Sequence, residues 1–80
     1  MTVDQLRAVL RAQPFRPFTI HMADGRSFLV RHPDFISHSP SGRTLIVYGN
    51  DESFSILDLL LASELEVHPP TERLSDEAAA

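Results

Sequence analysis

Four histidines, His21, His32, His38 and His68, are the side chains best suited to hold a metal or to move a proton near neutral pH. A structural zinc site asks for four ligands in a tetrahedral array, and no pair of these histidines has ligand spacing. The chain has no cysteine, which excludes thiolate metal sites and disulfides alike. The histidines are therefore expected at the surface or an interface, and neither metal nor other cofactor is expected. Asp58 sits among leucines, where burial could raise its pKa into the range of a general base. An Asp in such a setting more often caps a turn or meets an arginine. No serine occupies a Gly-x-Ser-x-Gly elbow. No catalytic residue can be assigned, and enzyme activity is not expected.

Binding has better candidates. All seven basic residues are arginine, and five of them fall in residues 1–31, which carry a charge of +3 against −7 for the remainder. Arg16, Arg26 and Arg31 are the candidates for contact with a ligand or nucleic acid, since guanidinium groups bind phosphate in a fixed planar geometry. Phe15 and Tyr48 could stack bases beside them. The net charge of −4 opposes that use, because phosphate attraction dominates affinity for RNA. RNA is thus a partner of second rank. The run Leu57-Asp58-Leu59-Leu60-Leu61 is too apolar for one buried face. Leu57, Leu59 and Leu61 are accordingly the candidates for an oligomer interface.

These residues must be held by a small number of elements. Thr2 and Gln5 form a capping-box pattern, and Val3, Leu6, Val9 and Leu10 then follow at helical spacing. A helix is expected over residues 3–12, stopped by Pro14. The period then changes to two. Phe18, Ile20 and Met22 alternate with Thr19 and His21, and a three-residue turn ending in Gly25 pairs Ile20 with Phe28 and Phe18 with Val30. A second run, 27–39, reads as one strand bent at Pro33. By analogy with the first turn, Phe35 is expected opposite Val47 and Ser37 opposite Leu45. The third turn, Gly49 to Glu52, sets Val47 against Phe54 and Leu45 against Ile56. All three glycines then lie in hairpin turns, where positive φ is needed. Ala62-Ser63-Glu64 reads as a 3₁₀ turn before a last short strand.

The expected fold is mainly β, an N-terminal helix followed by a five-stranded, strongly bent small β-barrel. Residues 1–68 form the single domain, and 69–80 an acidic, disordered tail. The element order resembles the Sm-like (Hfq-type) and SH3-like small barrels, most concretely in Phe18-Thr19-Ile20-His21-Met22-Ala23-Asp24-Gly25, which is similar to a first Sm strand ending in Asp-Gly. That resemblance implies association through strand edges. The sequence departs from the Sm pattern at the second strand, which has Pro33 where a Gly is usual, and at the uridine pocket, where Asp34 is followed by no Asn. The string from Gln13-Pro14-Phe15-Arg16-Pro17-Phe18 to Arg43 also resembles short bacterial proteins of unknown function, which implies no mechanism. His32-Pro33-Asp34 repeats the signature tripeptide of J-domain co-chaperones, but strand patterns flank it here instead of helices.

No window approaches the ~20 apolar residues of a membrane span, and the first residues lack the pattern of a secretory signal, so a cytoplasmic protein is expected. A domain below ~70–80 residues buries a thin core, which makes self-association the first expectation. The function expected from these readings is a non-catalytic, self-associating small-barrel module for binding or scaffolding, with Sm-like binding of RNA or single-stranded nucleic acid as the alternative.

Overall fold

The computed structural model describes residues 2–69. Of the tail expected at residues 69–80, all but residue 69 lies outside them. Helix α1 spans Val3–Arg11 and opens with the capping box, in which Thr2 Oγ1 accepts the Gln5 N–H and Gln5 Oε1 accepts the Thr2 N–H. Only Leu6 is fully buried on α1, with Val3, Val9 and Leu10 packed partly against the core. Six strands follow: β1 (Phe18–Met22), β2 (Ser27–Val30), β3 (Ile36–His38), β4 (Thr44–Tyr48), β5 (Phe54–Asp58) and β6 (Ala62–Val67). They form two three-stranded antiparallel sheets, ordered β2-β1-β6 and β3-β4-β5. The buried faces share one core, to which β1 gives Phe18, Ile20 and Met22 and β4 gives Leu45 and Val47.

The five-stranded closed barrel is not what forms. The sheets are open, and the 27–39 run is broken into β2, a 3₁₀ turn at Pro33–Phe35, and β3. The break follows from local chemistry. Pro33 has no N–H for a ladder, and its fixed φ suits the first position of a turn. The His32 ring then accepts the Asp34 N–H at 3.2 Å, and the Phe35 N–H reaches the His32 carbonyl at 3.0 Å. The His-Pro-Asp tripeptide is thus a cap. A second 3₁₀ turn at Leu59–Leu61 separates β5 from β6, capped by Asp58. It lies three residues before the expected position, because Ala62 already pairs with Met22.

The first hairpin has the expected register, Phe18 opposite Val30 and Ile20 opposite Phe28. The other two are displaced by one residue. The β3–β4 loop has four residues, since Ser39 N–H bonds the Thr44 carbonyl, and this sets Ile36 rather than Phe35 against Val47. The β4–β5 loop has three, closed by Gly49 N–H to the Ser53 carbonyl at 2.8 Å, and pairs Val47 with Ser55 and Leu45 with Leu57. Its left-handed residue is Glu52 (φ 68°), not Gly49.

Gly25 and Gly42 both have positive φ, but only Gly42 is also crowded, with the Val3 side chain lying where a Cβ would go. Gly25→Ala should therefore cost only the backbone penalty, roughly 1–2 kcal/mol. Gly42→Ala should add an overpacking cost of ~1–3 kcal/mol, read as a clearly larger fall in Tm.

Candidate interaction surface

The β4–β5 hairpin turns Val47, Leu45 and Leu57 into the core, so the residues between them point outward. On that outer face Ile46 stands opposite Ile56 and Tyr48 opposite Phe54. Phe54 is 59% exposed and Ile56 65%, while Tyr48 is exposed and Ile46 half-buried. The Tyr48 and Phe54 rings are in contact, with centroids 6.4 Å apart. Beyond β5, Leu60 and Leu61 of the 3₁₀ turn are also exposed.

Among the described residues, the edge of β5 is unpaired in its sheet. Its free groups follow from the alternation of an antiparallel ladder. Gly49 N–H bonds Ser53 O, and Leu59 N–H bonds Arg43 O. Counting inward from either bond makes Val47–Ser55 and Leu45–Leu57 the hydrogen-bonded pairs. The N–H and C=O groups of Phe54 and Ile56 therefore point away from β4, onto the free edge. Between Glu52 and Asp58 this edge carries no charge, no proline and no bulge.

The other three edges are guarded by devices that discourage pairing. Strand β3 has three residues, with Pro33 and Pro40 near its ends. Strand β2 has four and is flanked by Arg26 and Arg31. Strand β6 carries Glu64 and Glu66 and shares with α1 a cleft of about 450 Å³ lined by Gln5, Val9, Ser63, Glu64, Leu65 and Val67.

The arginines proposed for ligand contact do not converge. The Arg16 Nε–H donates to the His68 carbonyl at 2.8 Å. Arg26 pairs with Asp24 at 2.9 Å and lies over the Phe28 ring. Arg31 is exposed and has no ion pair among the described residues. Arg26 and Arg31 lie at opposite ends of β2, five residues or ~16 Å apart along the strand. Of the interface candidates, Leu57 and Leu59 are 3% exposed and belong to the protomer's core, whereas Leu61 is 56% exposed. Asp58 caps the 3₁₀ turn through the Leu60 N–H at 2.9 Å, with Arg43 at 3.6 Å. The expected pairing of Val47 with Phe54 and Leu45 with Ile56 would turn Phe54 and Ile56 inward, whereas the observed register, one residue away, turns them out. The signal that could have found them is the three-residue loop Asn50-Asp51-Glu52, stabilised by Asp51 accepting the Ser53 N–H.

Every histidine has a polar contact. His21 Nε2 meets Glu66 at 2.8 Å, His68 Nε2 meets Thr19 at 2.6 Å, His38 meets the Ser39 carbonyl, and His32 caps its turn. Among the described residues no group of three or more His, Cys, Asp or Glu side chains could hold a metal ion. Nor is any helix there long and apolar enough to cross a membrane.

No family model matches the chain, and neither the curated proteins nor the solved structures include a match. With the sheets open, the resemblance to Sm-like and SH3-like barrels is corrected to a one-helix, two-sheet domain, and the expected roles as a small-barrel scaffold or an Sm-like RNA binder lose their basis.

The hydrogen bond from His21 holds the Glu66 carboxyl below its ordinary range; it outweighs desolvation, and the charges of His68 and His21 add to the lowering. A depressed carboxylate stabilises the fold above its unfolded pKa of about 4.3, and that contribution disappears as pH falls through the folded value. Glu66→Gln should therefore lower Tm slightly from about pH 5 upward, with the difference from wild type closing in more acid solution.

Proposed function

We propose that this protein works by association, and that its first partner is a second copy of itself, met through the free edge of β5. The observation that carries the reading is the coincidence, on one strand, of exposed Phe54 and Ile56 side chains with their outward-pointing backbone groups. A strand edge of this kind is a template for pairing with another strand. The apolar face of Ile46, Tyr48, Phe54 and Ile56 adds side-chain burial to the main-chain hydrogen bonds. A second copy is favoured over a foreign peptide because a thin core is commonly reinforced by oligomerisation, which needs no further component.

Sedimentation or light scattering across the micromolar range should show a concentration-dependent mass. Ile56→Lys places a charge on the edge without touching the core, and should give a folded monomer with little change in the Tm of the protomer. Leu57→Ala, one residue away but facing inward, should instead cost about 2–5 kcal/mol of stability while its folded fraction still associates. A wild-type protein that stays monomeric throughout that range would overturn the proposal.

A further inference from the structure

Resting on that association reading, we infer that β5 pairs antiparallel with β5 of a second copy about a two-fold axis through Ser55, joining two β3-β4-β5 sheets into one of six strands. Only the outward-pointing residues of β5 can exchange hydrogen bonds across the seam, and keeping both exposed apolar residues, Phe54 and Ile56, within it leaves three registers. An axis at Phe54 would set Ile56 against Glu52, which has already left the strand at φ 68°. An axis at Ile56 would set Phe54 against Asp58, whose carboxylate is engaged by the Leu60 N–H and Arg43. An axis at Ser55 sets Phe54 of each copy against Ile56 of the other. That is an aromatic–β-branched pair, made twice, of the kind that stabilises antiparallel sheets.

The Ser55 register also accounts for the ends of the seam. The next pair of outward-pointing residues on either side is Asp58 against Glu52, two like charges that discourage further pairing. Between them lie two hydrogen-bonded pairs and one apolar stripe, running from Tyr48 and Ile46 of one copy across to the same residues of the other. Such a contact uses the same patch on both copies, so it closes at two and does not propagate into a fibre. Two exposed side chains per copy on the seam fall well short of the ~800 Å² per partner of a standard interface, which points to a reversible dimer.

Cysteine is absent from the chain, so one introduced thiol reports its own neighbour. At the axis, Ser55 faces Ser55 in a non-hydrogen-bonded pair with Cα atoms ~4.5 Å apart, within disulfide range. Ser55→Cys is nearly isosteric and should form a covalent dimer under mild oxidation, faster by ~10-fold or more than the exposed turn variant Ala23→Cys, because pairing replaces a chance encounter with a fixed neighbour. Phe54→Cys and Ile56→Cys should each cross-link poorly alone and well when mixed, which serves as a second readout should Ser55→Cys disturb the fold. If wild type is dimeric while Ile56→Cys alone cross-links and Ser55→Cys does not, the Ser55 axis is wrong and the association reading stands. If wild type is dimeric and no β5 variant or mixture exceeds Ala23→Cys, the inference fails and another surface makes the dimer. A monomeric wild type removes both.

Discussion

The constraint on which most of this structure depends is the length of the β4–β5 loop. Three residues, closed by the Gly49 N–H to Ser53 carbonyl bond and turned by Glu52 in the left-handed region, set the parity of β5. Side chains alternate with period two, so that parity decides which half of Phe54-Ser55-Ile56-Leu57 is core and which is surface. With three residues, Leu57 closes against Leu45 inside and Phe54 and Ile56 stand outside. The same parity aims the Phe54 and Ile56 backbone groups at the open edge. Packing, exposure and hydrogen-bonding potential on this strand thus have a single origin.

Two 3₁₀ turns shape the rest. Pro33–Phe35 and Leu59–Leu61 each interrupt a β run where a side chain can cap the break, His32 in one case and Asp58 in the other. Each turn passes the chain from one sheet to the other, β2 to β3 and β5 to β6. The domain therefore keeps four edges that a closed barrel would not have. Helix α1 lies across the junction, with Val3 against Gly42 of the β3–β4 loop and Val9 beside Leu65 and Val67 of β6. Arg7 adds a long bond of 3.4 Å to the Pro40 carbonyl. Its amphipathic face covers the β6 side and leaves β5 uncovered.

Polar side chains in this domain mostly stabilise their own surroundings. Asp24 holds Arg26, Asp51 holds Ser53, Asp58 holds Leu60, His32 caps a turn, and His21 and His68 link neighbouring strands. The backbone groups of Phe54 and Ile56 on the β5 edge, by contrast, have no protein partner among the described residues. The β5 strand itself has no titratable side chain between Glu52 and Asp58.

Local patterns were legible wherever one short-range interaction decides the outcome. The Thr2–Gln5 capping box, the apolar stripe of α1 and the Asp24-Gly25 hairpin with its register can be read from the residues, because each is settled within a few positions by hydrogen bonding or by a backbone angle. The excess of apolar side chains over one buried face at 57–61 was legible too, and Leu60 and Leu61 are exposed. The two later registers and the openness of the sheets were not. A loop of three or four residues fits Pro40 to Arg43 equally well in sequence terms, and at Gly49 to Glu52 only the spacing of Asp51 and Ser53 favours three, so the choice rests mainly on whether Ile36 or Phe35, and Leu57 or Ile56, fits a core assembled from strands distant in the chain. Tertiary packing chose between patterns that differ locally by very little, and a shift of one residue was enough to exchange the inside of β5 for its outside.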